Sequence, residues 1–326
     1  MRFSVIIPVY NRPEEIEALL NSLCAQSCTD FEVIVIDDGS SVPCKHVVSA
    51  FKERIHLTYV YQQNTGQGFA RNTGMQQAAG DFFLFFDSDC QLPSEYMENL
   101  RKTITARKLD AFGGPDNAKE DFGPWQKAMN FSMTSFWTTG GIRGKLKDPA
   151  KYQARGYNMG FSRKVFEQVG GFRLANQAED IEISMRIKKA GFKLELVREA
   201  WVYHHRKSTF LGFARQSFQF GTNRIHVSRI HPEALQPVHL LPLGFLLAWV
   251  FLPFIGWVLP VLFLPVALFF LIWAVGVVVS ASWETRSVLI GFLALVTSVA
   301  QLSSYGAGIA VEGIRSSASG DQPPRP

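Results

Sequence analysis

Five consecutive apolar residues, Phe82-Phe83-Leu84-Phe85-Phe86, stand between Gly80-Asp81 and Asp87-Ser88-Asp89. A run this short is no globular helix, and its unbroken apolar character predicts a strand buried on both faces, as in a parallel sheet. Such a strand delivers Asp87 and Asp89 at its carboxyl end, where open α/β sheets bind ligands. Side chains two apart on an extended segment point the same way. The two carboxylates then repel each other unless a cation lies between them. A hard divalent ion, Mg2+ or Mn2+, takes one or two such carboxylates and completes its shell with phosphate oxygens and water. A surface turn is the competing reading, because Asp-Ser-Asp also suits a loop.

The preceding residues repeat one pattern. Phe3 to Val9 predicts a strand, followed by Tyr10-Asn11-Arg12-Pro13. Pro13 suits a first helical position, and Ile16, Leu19, Leu20 and Leu23 supply a helical apolar stripe. Phe31 to Ile36 predicts a second strand, broken by Asp37-Asp38-Gly39-Ser40, and Thr58 to Tyr61 a third. Gly66-Gln67-Gly68 opens a helix containing Arg71. Strands alternating with short helices imply βαβ units and a mainly parallel sheet. A dinucleotide fingerprint is excluded at Gly66, since Arg71 replaces its third glycine and the strand before it is the third, not the first. Arg71 is read instead as a planar cation aimed at a base or a phosphate; a solvated arginine at a helix start is the alternative. Glu179 to Ala190 predicts a helix, with acidic residues in its first turn, Glu182 and Arg186 one turn apart, and Gly191 as its stop.

These stretches, taken in order, resemble glycosyltransferase family 2 with the nucleotide-binding GT-A fold. The resemblance is carried by Val5-Ile6-Ile7-Pro8-Val9-Tyr10-Asn11, Asp37-Asp38-Gly39-Ser40, Gly68-Phe69-Ala70-Arg71-Asn72, Asp87-Ser88-Asp89, Gly156-Tyr157-Asn158-Met159-Gly160-Phe161, Val169-Gly170-Gly171-Phe172 and Glu179-Asp180-Ile181-Glu182, over about residues 3 to 207. It implies a nucleotide-diphospho-sugar donor, a UDP- or GDP-sugar, and a glycan or lipid-linked acceptor. Pro8, Tyr10 and Asn11 would line the nucleotide pocket, Asp38 would bind the base with Arg71 beside it, and Asp87 would lie near the ribose. Asp89 would hold a divalent Mn2+ or Mg2+, with His204, preferred to His205, reaching the metal or diphosphate. Asp180 resembles the catalytic base of inverting members. The Gln-Xaa-Xaa-Arg-Trp motif of processive members is replaced by Arg215-Gln216-Ser217-Phe218-Gln219-Phe220, which implies one transfer per binding event. Cys90 stands where relatives carry a third acidic residue.

Residues 238 to 311 are almost continuously apolar. Segments 238–259, 261–281 and 287–311 each approach the roughly 20 residues that span a bilayer core, but Pro242, Pro253, Pro260 and Pro265 interrupt the first two, so two to three spans are expected. Arg206, Lys207, Arg215, Arg224 and Arg229 precede them and predict a cytoplasmic catalytic part on the inner membrane. The expected division is a catalytic domain at 1–208, an interfacial helical segment at 209–236, membrane helices at 237–312 and a disordered tail at 313–326. A net charge of +5 comes without a basic block interleaved with aromatics, which argues against nucleic acid and suits a lipid surface or a phosphorylated substrate. Cys24, Cys28, Cys44 and Cys90 lack zinc spacing and read as reduced thiols, and the amino terminus does not read as a signal peptide. The rival to an enzyme is a membrane sensor or scaffold that binds a nucleotide sugar without turnover.

Overall fold

In the computed structural model of the chain, which describes residues 1–117, 123–140, 148–204 and 209–319, the run Phe82–Phe86 is a strand, β4, buried along its whole length. It lies within a seven-stranded sheet with β1 (Phe3–Val9), β2 (Phe31–Asp38), β3 (Leu57–Gln62), β6 (Ala111–Gly113), β8 (Asn158–Ser162) and β9 (Leu194–Leu196). Their order is β3-β2-β1-β4-β8-β6-β9. The pairs among β1 to β4 and the pair β6 and β9 are parallel, while β8 runs against both its neighbours. A three-stranded sheet joins β5 (Cys90–Gln91), β10 (Val202–His204) and β7 (Asp116–Asn117) in the order β5-β10-β7.

Strand alternation divides the core in two. Phe82, Leu84 and Phe86 face one cluster with Phe3, Val5, Ile7, Val33 and Val35, and Phe83 and Phe85 face the other with Ile6, Ile34, Ile36 and Phe161. Helices α1 (Pro13–Cys24) and α4 (Tyr96–Arg107) cover the first face through Ile16, Leu19, Leu20, Leu23, Met97 and Leu100. Helices α3 (Gln67–Gln77), α7 (Arg163–Val169) and α8 (Glu179–Lys189) cover the second through Ala70, Met75, Val165, Ile183 and Ile187. The short α2 (Lys45–Ser49) adds Val48 to the first cluster. A sheet buried on both sides explains why its central strands lack polar alternation.

These elements form one compact unit, Met1–Ala118 with Leu146–His205. The second unit groups Lys119–Lys145, which contains α5 (Pro124–Thr134) and α6 (Phe136–Thr139), with Arg206–Pro326. The expected uninterrupted domain at 1–208 thus has an excursion, because α5 buries Ala128 and Phe131 with Trp273, Val277 and Ala294. In this second unit, α9 (Phe210–Ile230) is followed by α10 (Leu241–Val250), α11 (Leu252–Val258), α12 (Pro260–Thr285) and α13 (Val288–Ser319). Among the described residues α12 and α13 are long and apolar enough to cross a membrane, and the segment from Pro237 to Val258, bent by 59°, makes a third if counted as one span. The bend falls where Pro253 opens α11, at a position that needs no donated hydrogen bond. Ser132 of α5 bonds Thr297 at 2.6 Å and Ser298 at 3.0 Å, the small polar contacts that join apolar helices. Helix α13 runs on to Ser319, so part of the expected tail is helical, and 320–326 lie outside the described residues.

Phe85 is fully buried, with its ring 5.1 Å from that of Phe161 and 5.3 Å from that of Phe172. Phe85→Ala should therefore cost about 3–5 kcal/mol, read as a lowered urea midpoint with unchanged slope.

Candidate active site

Strands β1, β2 and β3 are laid down in one direction across the sheet, and the chain then returns to place β4 on the other side of β1. The carboxyl ends of β1 and β4 therefore diverge into separate connections, which opens a crevice between them. Into it come Tyr10, Asn11 and Arg12 after β1 and Asp87 and Asp89 after β4. Register aligns the edge, since Val9 pairs with Asp37 and Ile6 with Phe85.

At the floor lies Arg71, a charged side chain with no solvent exposure. Its Nη2 donates to Asp87 Oδ1 at 2.8 Å and to the Gly156 carbonyl at 3.2 Å, and its Nη1 donates to Glu179 Oε1 at 2.9 Å. The guanidinium also stands 5.4 Å from the centre of the Phe172 ring. A Cβ on residue 156 would sit 2.8 Å from Nη2, so glycine is what lets the cation come so close. The Gly156 N–H in turn donates to Asp180 Oδ2 at 3.1 Å, so one peptide links Arg71 to the expected base. Both terminal nitrogens of Arg71 are engaged with protein groups. Neighbouring contacts tighten the frame. Gln67 Nε2 donates to Glu179 Oε1 at 2.6 Å, Asn72 exchanges two hydrogen bonds with the Phe172 backbone, and Arg186 pairs with Glu182 while bonding the carbonyls of Val169 and Gly171.

The two aspartates ending β2 each accept several hydrogen bonds from the protein. Asp37 accepts from the Ser40 and Cys44 N–H groups and from the Tyr59 hydroxyl. Burial works to raise its pKa, but these bonds outweigh it and hold the carboxyl below the usual range. Asp38 is 3% exposed, accepting from Gln62 and Thr65 on Oδ1 and from the Gly66 N–H on Oδ2. It thus latches the loop that enters α3, where Gly66 has φ of +93°, a conformation that favours glycine. A base contact from Asp38 would share oxygens already bonded to this loop. Pro8 is buried within β1 and Tyr10 is exposed. Asn11, at φ of +54°, donates its N–H to Ser40 and accepts from the Ser41 N–H and hydroxyl.

Asp87 and Asp89 lie on the turn between β4 and β5, with side chains 31% and 12% exposed. Asp89 Oδ2 accepts from Arg12 Nη1 at 3.2 Å. Two oxygen donors at one sheet edge fit a hard divalent ion that keeps open positions for phosphate oxygens. No group of three or more His, Cys, Asp or Glu that could enclose a metal occurs among the described residues. His204 ends β10, paired with Cys90 in the strand beside this turn; its side chain and the whole of His205 lie outside the described residues. Arg12 and Glu179 carry contacts that the sequence reading did not assign. The first hides in a motif quoted for its neighbours. The second lies 108 residues from Arg71, with no local signal linking the two.

Glu179 is pushed up to about 7, by burial first and by neighbouring Asp180 second, against the pull of Arg71. A carboxyl whose folded pKa exceeds its unfolded value of 4.5 adds stability below that value, and the contribution is lost as pH rises towards 7. Thermal melts at pH 5 and pH 8 should show wild type losing ground relative to Glu179→Gln as pH rises; a constant difference would contradict the assignment.

Residues 4–170, just over half of the chain, match the family described as Glycosyl transferase family 2. Glycosyltransferase AglE of Haloferax volcanii is 28% identical over 255 residues, covering 77% of this chain and 81% of that protein. Poly(ribitol-phosphate) beta-N-acetylglucosaminyltransferase TarS of Staphylococcus aureus is 38% identical over 114 residues, 34% of this chain and only 20% of that one. Among solved structures, mannosyltransferase PcManGT from Pyrobaculum calidifontis in complex with GDP-Man and Mn2+ superposes with a TM-score of 0.68 at 18% identity, over 96% of this chain and 87% of that one. That likeness is one of fold, of the GT-A type. The chain belongs to glycosyl transferase family 2 and is a glycosyltransferase.

Proposed function

We propose that the protein moves a sugar from a nucleotide-diphospho-sugar, a UDP- or GDP-sugar, to an acceptor hydroxyl with inversion at the anomeric carbon. The observation that carries this reading is the bridge from Asp87 through Arg71 and Gly156 to Asp180, which sets two partly exposed carboxylates on one frame. Asp180 lies in the first turn of α8 with its oxygens held by the Gly156 and Ile181 N–H groups. It takes the acceptor proton as the acceptor oxygen bonds to the anomeric carbon and the bond from that carbon to the diphosphate oxygen breaks. Tyr10 and Asn11 border the nucleotide, and Asp38 shapes the base end by fixing the Thr65-Gly66 loop. Asp87 and Asp89, with His204 as a further donor, would hold a divalent Mn2+ or Mg2+. When bound, such an ion supplies positive charge to the leaving diphosphate. The Mn2+ and GDP-Man in the archaeal mannosyltransferase of the same fold support this reading.

The helices α12 and α13 support a membrane-held enzyme whose acceptor is lipid-linked or a growing glycan. The arginines ahead of α10 favour a catalytic unit facing the cytoplasm. The missing Gln-Xaa-Xaa-Arg-Trp motif favours a single transfer per encounter.

Asp180→Asn should bind UDP or GDP with Mn2+ as wild type does while losing at least about 100-fold in transfer. Asp89→Asn should instead weaken the Mn2+-dependent part of nucleotide binding in a calorimetric titration. Full transfer by Asp180→Asn would remove the base from the mechanism.

A further inference from the structure

Arg12 occupies the crevice between β1 and β4 with its guanidinium shared between two carboxylates. Its Nη1 donates to Asp89 Oδ2 at 3.2 Å and to Glu15 Oε2 at 2.9 Å. The two partners differ in kind. Glu15 is 43% exposed at the start of α1, whereas Asp89 is 12% exposed and belongs to the pair that fits a cation.

The backbone of Arg12 is pinned on both sides. Asn11 before it is fastened to Ser40 and Ser41, and Pro13 after it is locked as the first residue of α1. Movement is left to the side chain, 41% exposed. It can swing from Asp89 and stay paired to Glu15 without shifting the main chain. Glu15, one helical turn away and exposed, offers the guanidinium a second partner on the same nitrogen.

We propose that Arg12 is a tethered countercharge that occupies Asp89 in the empty enzyme and yields it to the divalent cation, with Glu15 as the resting place of the displaced guanidinium. This rests on the reading of Asp87 and Asp89 as the cation site. It makes Arg12 a positioning residue that sets metal affinity by competing with the cation for Asp89, while Arg71 stays on Asp87. An arginine serves here better than a lysine, because its several donors in one plane can hold one carboxylate while releasing another.

The test is Mn2+ alone titrated into the full-length detergent-solubilised protein, free ion being counted by electron paramagnetic resonance. Arg12→Met should bind Mn2+ about 2- to 5-fold more tightly than wild type, the range that loss of one partly exposed ion pair allows. Glu15→Gln, which strips the guanidinium of its alternative partner, should bind more weakly. Equal or weaker binding by Arg12→Met overturns the proposal. Should Arg12→Met fail to fold, Glu15→Gln decides, and unchanged or tighter binding then overturns it. If wild type takes up no Mn2+ even with UDP or GDP present, the cation site itself is wrong and this role falls with it. Normal wild-type uptake with indifferent variants sinks the Arg12 role alone.

Discussion

A guanidinium without solvent is the constraint around which the catalytic unit is arranged. Removing a charge from water costs several kcal/mol, recovered only when the geometry of its partners is good. Arg71 finds two carboxylates and a carbonyl, each from a different part of the chain: Asp87 from the end of β4, Gly156 from the loop before β8, and Glu179 from the start of α8. Deleting the cation would leave two acidic side chains facing each other in a poorly solvated floor. Burial first, and Asp180 second, push Glu179 upward against the pull of Arg71. Beside this frame, Asp180 takes its orientation from the Gly156 and Ile181 N–H groups.

Topology decides where this happens. Because β4 returns to the far side of β1, the connections leaving the two strands part from each other, and the residues after them meet only through side chains, as Arg12 meets Asp89. Glycines at 66 and 156 let the backbone approach or turn where a side chain would not fit. The hydrogen bonds between Asn72 and Phe172, and those from Arg186 to the carbonyls of Val169 and Gly171, fix the turn that carries the ring under Arg71. Binding groups thus lie on loops, but each loop is tied to a strand end or a helix start that cannot drift.

Much of this was legible in the sequence where the signal is local. The two-sided burial of β4 follows from its five apolar residues, the start of α1 from Pro13, and the Glu182 and Arg186 pair from helical spacing. What escaped depends on contacts between distant residues. Asp37 and Asp38 precede a glycine and suggest a turn, yet both end a strand, because Tyr59, Cys44, Gln62 and Gly66 supply the donors that make a buried carboxylate tolerable. Arg71 reads from sequence as a cation for a base or phosphate, or as a solvated arginine; that Glu179, 108 residues later, is its partner has no local signal. The excursion at 119–145 carries no compositional break, and its membership of the second unit emerges only once Ala128, Phe131 and Ser132 are seen against α12 and α13.

The central claim is that Asp87 and Asp89 form a cation site on the same frame as Asp180. Anomalous diffraction from crystals grown with Mn2+ and a nucleoside diphosphate tests it most directly. The expected result is one manganese peak in contact with the carboxylates of Asp87 and Asp89. A manganese peak elsewhere, or a diphosphate bound with Arg12 still on Asp89 and no metal nearby, would contradict it.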